Sequence, residues 1–325
     1  MSATQRIGII GCGSVGVTHS ECLAAIEDAK LVAFCDTDSS RADELRGRFG
    51  GKYATDDPAR IFRDDGIDAV YICTYHDTHG PLAIQAAEAG KHIMMEKPLA
   101  LSLSECNRVA NAVEKSGVKA MTGFKMRYYP SVAKARTFVP SPIVTIAQMM
   151  DRRWPDEFWA NDPVKGGGNI LSQGCHTMDL VCHFNQSEPV RIYAEGGNFT
   201  HSGLSIFDNM VATITFANGS VASVAQGDSG ETPFVSKLSF QLLDGERTVH
   251  LHNRLKSAIL FDGTSTRTHD DPEEYGFMEE NRDFIDSLKR DEDPPISLAD
   301  GVRATLMVLR AIESLETQAP QRIAL

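Results

Sequence analysis

The chain has no run of about 18 consecutive apolar residues, and so carries no candidate membrane-spanning helix. It has no basic stripe either. Lys and Arg number 32 against 44 Asp and Glu, a net charge of −12 that repels a polyanion and argues against nucleic acid as partner. The first residues, Met1 to Arg6, lack the charged, apolar and small-residue order of a secretory signal, so the expected location is the cytoplasm. The seven cysteines (Cys12, Cys22, Cys35, Cys73, Cys106, Cys175, Cys182) are odd in number and irregular in spacing, which excludes a disulfide framework. Cys175-His176 and Cys182-His183 lack the spacing of a zinc site, so no metal is expected and these thiols read as core. There is no internal repeat or low-complexity tract. What is present is ordinary globular composition, 42% hydrophobic and 23% charged, which excludes a disordered, collagen-like or long coiled-coil chain. A length of 325 residues suggests two domains.

The first third alternates short apolar runs with helical patterns. Strands are expected at Arg6–Ile10, Lys30–Cys35, Asp68–Thr74, His92–Met95 and Val118–Phe124. Helices are expected at Ser14–Ala29, Ala42–Phe49, Pro81–Ala89 and Ser104–Lys115. Strands separated by helices of about 10–15 residues make βαβ units, and right-handed crossovers wind them into a parallel sheet covered on both faces. Beyond Pro140–Pro142 strands dominate. Asn218-Gly219 and Asp244-Gly245 each sit between alternating runs and favour tight hairpins, pairing Asn209–Phe216 with Ser220–Gln226 and Lys237–Leu243 with Arg247–His252. Helices are expected at Asn169–His183 and Ala299–Glu316. The fold class is therefore α/β: a doubly wound Rossmann domain over residues 1–124, then an α+β domain over 125–325 with an open, mostly antiparallel sheet. The second domain would bind substrate and form oligomers, and its last helix can pack back on the first.

Strand one runs into Gly11-Cys12-Gly13-Ser14-Val15-Gly16, a G-x-G-x-x-G between strand and helix. The first glycine permits the tight turn, the second lets the backbone approach a pyrophosphate, and the third permits close helix–strand packing. Ser14 and Val15 open the helix whose free N–H groups face the phosphates. Asp36 lies 20 residues past Gly16, where an acid accepts from the adenosine ribose, so NAD is expected over NADP; Thr37 and Arg41 follow it, and Arg41 is the residue that could instead accommodate a 2′-phosphate. Thr74-Tyr75-His76-Asp77-Thr78-His79 and Glu96-Lys97-Pro98 stand at other strand ends on the same edge, which places Thr74, Tyr75, His79, Glu96 and Lys97 near the cofactor. Two histidines in a polar loop also read as plain surface residues.

A proline after Lys97 stiffens the turn that aims the amine, and an ammonium beside a positive nicotinamide loses its proton more easily, as a general acid/base for an alcohol requires. Downstream, the glycine run Gly166-Gly167-Gly168 opens a helix on which Ser172, His176 and Asp179 share one face. A polar stripe on an otherwise apolar helix points to a site, or to a core histidine satisfied by a carbonyl. Both tryptophans, Trp154 and Trp159, precede the glycine run. Their faces suit the C–H face of a sugar, with Asp156, Asn161 and Lys165 to bind hydroxyls, or they cover core or a subunit interface.

Four segments in this order, GCGSVG, GKHIMMEKPLA (90–100), GFKMRYYP (123–130) and GGGNILSQGCHTMDL (166–180), make the sequence resemble the Gfo/Idh/MocA oxidoreductase family over nearly its whole length. The resemblance implies NAD(P)-dependent hydride transfer at a hydroxyl or ketone of a sugar, sugar derivative or cyclitol. It implies Lys97 and His176 as the catalytic pair converging on one carbon, with Arg127 and Tyr128 lining the site beside Ser172 and Gln173. Two positions depart from the family pattern: Ser172 stands where an acid is common, and Tyr75 where proline is common. Two other activities of the same fold remain in view, a transient oxidation that cleaves or epimerises a glycoside and a non-catalytic NAD sensor. Apolar strands such as Val211–Phe216 need a cover, which with the family habit implies a homodimer or homotetramer.

Overall fold

The computed structural model describes residues 4–231, 236–271 and 276–324, and its contacts divide the chain into two compact units. The first comprises the residues up to Lys125 together with Phe277–Val302, and the second Met126–Gly276 with the residues from Arg303 onward.

In the first unit the chain runs β1 (Gln5–Ile10), α1 (Ser14–Ala24), β2 (Ala29–Cys35), α2 (Ser39–Phe49), β3 (Tyr53–Thr55), α3 (Pro58–Phe62), β4 (Ala69–Ile72), α4 (His76–Glu88), β5 (His92–Met95), α5 (Leu103–Ser116) and β6 (Ala120–Thr122). The six strands form one parallel sheet in the order β3-β2-β1-β4-β5-β6. That is the doubly wound order whose reversal falls between β1 and β4, where a dinucleotide lies. The central strands are buried on both faces because helices cover both: Ile7 and Ile9 of β1, Phe34 of β2 and Tyr71 and Ile72 of β4 are fully buried. Each such side chain contributes about 1.5–3 kcal/mol of hydrophobic stabilisation. Helix ends follow local chemistry. Ser102 Oγ accepts the Glu105 N–H at the start of α5, and Gly117, at φ +70°, ends it in the left-handed region.

The second unit continues with α6 (Pro130–Phe138), β7 (Val144–Met150), α7 (Gly168–Asn185), β8 (Pro189–Gly197), β9 (Asn209–Phe216), β10 (Val221–Gly227), β11 (Leu238–Leu243), β12 (Thr248–His252), β13 (Ser257–Phe261) and β14 (Thr266–Asp270). The chain then re-enters the first unit as α8 (Phe277–Arg290). Next comes α9 (Leu298–Thr317), within which the division between units falls, and β15 (Gln321–Arg322) ends the described chain. Nine strands order as β14-β13-β12-β11-β7-β10-β9-β8-β15. The expected hairpins form at Gly219 (φ +86°) and Gly245 (φ +97°). One pair, β7 with β10, is parallel, because α7, β8 and β9 intervene and carry the chain back to the same end. The strands alternate buried and exposed, as in β7 and β9. One face packs on α7, and the other shows Ile146, Val211 and Val221 to solvent.

The expected helix from Pro81 begins earlier, at His76, with Tyr75 in an extended conformation at its N-cap. His76 and His79 therefore lie in helical turns, 3% and 0% exposed, and the surface reading of both is corrected.

Candidate active site

The loop after β1 is shaped by two close approaches. Gly11 has φ +94°, and a Cβ there would lie 2.5 Å from the Cys73 carbonyl oxygen; at Gly16 it would lie 2.0 Å from the Gly11 carbonyl oxygen. Neither position admits a side chain. A Cβ at Gly13, by contrast, would meet no atom within 4 Å, so open space faces the backbone at the entrance to α1. No side chain caps that helix, which leaves its first N–H groups to a ligand. Asp36 is held over the loop: the Cys12 N–H donates to its Oδ2 at 2.7 Å and the Asp38 N–H to its Oδ1 at 2.9 Å. Each oxygen keeps a lone pair for a ribose hydroxyl. Ser14 and Thr37 are exposed and Val15 is half-buried at the same edge. Arg41 is tied to Asp38 (3.4 Å). These residues fit a dinucleotide carrying free ribose hydroxyls.

At the next strand ends, Thr78 Oγ1 donates to Thr74 Oγ1 at 2.7 Å, and Tyr75 is exposed. His79 has Nδ1 2.7 Å from the Pro98 carbonyl and Nε2 3.1 Å from the Thr74 carbonyl. Burial outweighs those two bonds and lowers its pKa, so the ring is neutral. A neutral ring has one N–H to give, so His79 donates to one of these two carbonyls and rests against the other, which ties the strand end to the Glu-Lys-Pro turn.

Glu96 turns inward as well. Its Oε1 takes His19 Nε2 at 3.2 Å and its Oε2 the Lys97 N–H at 3.3 Å. The Asn281 amide donates to His19 Nδ1 at 2.9 Å, which fixes the proton on Nε2, facing Glu96. Burial alone would raise the Glu96 pKa, but the His19 bond and the charge of Lys97 outweigh it and keep the carboxylate ionised. Glu280, fully buried on α8, is the opposite case. Burial and then the Glu96 charge push it well above the usual carboxylate range. Among the described residues His19, Glu96 and Glu280 are close enough to take a metal ion, with ligand atoms within 4.8 Å of one another. Burial and the neighbouring Glu96 charge favour a proton on Glu280 in this cluster. Glu96 therefore supports the turn. Lys97 itself is half-buried between β5 and the buried Pro98-Leu99-Ala100.

In the second unit, Gly167 (φ +76°) and Gly168 (φ +82°) give α7 its left-handed entry, and a Cβ at Gly166 would lie 2.3 Å from the Ala160 carbonyl oxygen. Thr177 Oγ1 donates to Gln226 Oε1 (2.8 Å), whose amide donates to Asn169 Oδ1 (2.8 Å), locking the helix to β10. Ser172 (4% exposed), His176 (6%) and Asp179 (2%) do share the buried face, and Gln173 is half-buried beside them. Asp179 takes Arg127 in a forked pair, with Nε at 2.9 Å from Oδ2 and 3.1 Å from Oδ1. Arg127 is thus a partner of the helix. Cys182, on the same helix, is pushed up to about 12 by burial and stays a thiol beside Met307 Sδ (3.2 Å).

Trp154, Phe158 and Trp159 form an edge-on cluster, with ring centroids 5.2 and 5.7 Å apart along the series. Trp154 Nε1 donates to Asp151 Oδ2 at 3.1 Å. The expected hydroxyl ligands fare differently. Asn161 is fully buried and donates to the Pro155 carbonyl (2.9 Å), Asp156 is engaged by His201 (2.6 Å), and Lys165 is exposed.

Known proteins match this architecture. Residues 5–124 match a family described as an oxidoreductase family with an NAD-binding Rossmann fold, and residues 142–233 match the GFO/IDH/MocA C-terminal domain. The myo-inositol 2-dehydrogenase of Thermotoga maritima is 27% identical over 326 residues, covering 96% of both chains. The D-glucoside 3-dehydrogenase of Escherichia coli is 26% identical, covering 68% of this chain and 69% of its own. A solved levoglucosan dehydrogenase in complex with NADH and levoglucosan superposes with a TM-score of 0.91 at 22% identity, covering 99% of this chain and all of the other.

Proposed function

We propose a function from one premise: the chain belongs to the GFO/IDH/MocA oxidoreductase family. It is an NAD-dependent dehydrogenase of CH–OH groups, and its substrate is a sugar, a sugar derivative or a cyclitol. The observation that carries this reading is the Glu-Lys-Pro turn, built into the same unit as the dinucleotide loop and braced by His79 and the His19–Glu96 bond. The cofactor, when bound, supplies the hydride acceptor. Lys97 takes the proton of the substrate hydroxyl during oxidation and returns it during reduction. His176 is the second proton-handling group. Ser172 and Gln173 hydrogen-bond substrate hydroxyls, Trp154 and Trp159 cover its apolar face, and Lys165 meets a hydroxyl at the rim. The test is NADH formation across a panel of aldoses, glycosides and inositols, with NADH binding as positive control. Binding of NADH with no turnover of any member would overturn the reading.

Asp36 sets the preference for NAD. Its carboxylate accepts from a ribose diol and repels a 2′-phosphate. Asp36→Ser is expected to lower the ratio of kcat/KM for NAD over NADP by about tenfold or more. An unchanged ratio in steady-state kinetics would remove Asp36 from this role.

The outward face of the nine-stranded sheet supports a homodimer or homotetramer, since it carries the exposed apolar side chains Val211 (60% exposed), Ile146 and Val221 (42% each). Val211→Arg is expected to halve the mass measured by light scattering; an unchanged mass counts against this face. The free thiols favour a reducing compartment, the cytoplasm.

A further inference from the structure

The tryptophan segment of the second unit is fastened at its base by a histidine held between two carboxylates. His201 is 1% exposed. Its Nδ1 lies 2.6 Å from Asp156 Oδ1 and its Nε2 lies 2.7 Å from Asp228 Oδ2. An ionised carboxylate only accepts, so both ring nitrogens must donate, and only the imidazolium has two N–H groups. The three residues come from three places: Asp156 from the segment after β7, His201 from the loop between β8 and β9, and Asp228 from the end of β10. Asp228, fully buried, also accepts the Trp154 N–H (3.2 Å) and the Thr200 hydroxyl (2.9 Å). Asp208, likewise fully buried, accepts the main-chain N–H groups of Phe199, Thr200 and His201 and so fixes the loop that presents the ring.

We propose that His201 is a positioning residue: a protonation-dependent clamp that holds the Trp154–Trp159 segment in the arrangement that receives substrate. The proposal rests on the reading above that this segment contacts a polyol. The charged groups around the ring are Asp156, Asp228 and, through the main chain, Asp208, with Arg153 paired to Asp156; Asp151 and Lys237, themselves paired at 2.6 Å, flank Trp154. Burial alone would lower the His201 pKa, but the bonds to Asp228 and Asp156 outweigh it and raise it, while Arg153 opposes. A pKa raised in the folded state gives stabilisation that is complete below about 6.5 and is lost as pH climbs through the raised value. When the ring loses one proton, one carboxylate is left facing a lone pair. Asp156 is the one released, because it is half-exposed and keeps Arg153, whereas Asp228 is sealed in and shares its oxygens with two further donors.

Both tryptophans of the chain lie in this segment, so the intrinsic tryptophan fluorescence of the whole protein reports on it alone. Titrated from about pH 6 to about pH 9, within the reach of a raised histidine pKa, the wild-type emission is expected to show one transition. His201→Gln, which cannot titrate, is expected to remain in the high-pH form throughout. Asp156→Asn, which removes the outer carboxylate and spares the buried one, is expected to move the transition to lower pH, and it tests the clamp should His201→Gln fail to fold. A flat wild-type titration, or an unshifted transition in Asp156→Asn, overturns the clamp whatever the substrate. A transition in emission without a parallel rise in KM for the polyol turned over in the panel leaves the clamp in place and removes the segment from substrate contact.

Discussion

Replacing Lys97 with methionine is expected to lower turnover by about 10²-fold or more while NADH still binds with near-native affinity. Methionine keeps the length and apolar body of the side chain and removes only the group that exchanges a proton. The supports of the turn are elsewhere. Glu96 bonds His19 through its side chain and the Lys97 main-chain N–H, and His79 reaches the Pro98 carbonyl, so none of these bonds is made by the lysine ammonium, although its charge helps keep Glu96 ionised. Fluorescence titration with NADH separates a loss of chemistry from a loss of cofactor. Near-native turnover in the variant would take Lys97 out of the reaction.

Asp179→Ala is expected to cost about 3–5 kcal/mol in chemical denaturation, because it removes the buried carboxylate that the Arg127 guanidinium grips in a fork. The Arg127 side chain is only 12% exposed and that of Asp179 2%, so water does not replace the missing bonds. The paired variant Arg127→Met, Asp179→Leu removes both charges and is expected to recover most of the loss. A single-variant cost below about 1 kcal/mol would show the pair to be solvated after all. His176 lies one helical turn before Asp179, so a loosened α7 is also expected to reduce activity beyond the fraction unfolded.

The two halves of the chain were legible in the sequence to different depths. The buried strands of the parallel sheet announce themselves as short apolar runs, and β5 falls on the expected residues, His92–Met95. The Gly219 and Gly245 hairpins were written in their dipeptides. In the second unit α6, β7, β8, β13, β14 and β15 were not expected, and two short elements of the first unit escaped as well. The three residues of β3 are too few for a period, and α3 shows only its cap, Asp57 accepting the Ala59 N–H ahead of Pro58. Helix α8 was overlooked although Phe284 and Ile285 mark an apolar face among its charges. At the site, residue types at strand ends marked the region but not which atoms were already engaged. Glu96, His79, Arg127 and Asn161 all read as ligands in the sequence, yet each is committed to a protein partner, and for Arg127 that partner lies 52 residues away. His201 gave no signal at all, since its two carboxylates lie 45 residues before it and 27 after.

The re-entry of α8 into the first unit bears on the order of events at the ribosome. His19 needs Asn281 for its hydrogen bond, Tyr71 meets Phe284 edge-on at 5.7 Å, and Lys125 sits 4.1 Å over the Phe277 ring. These partners are translated more than 150 residues after the strands they complete. At about 5–20 residues per second, the nucleotide-holding half waits roughly ten seconds or longer with its interior open on one flank, while β7 to β14 of the other sheet are synthesised. Nascent-chain stalling before Phe277 would therefore trap a protease-sensitive intermediate.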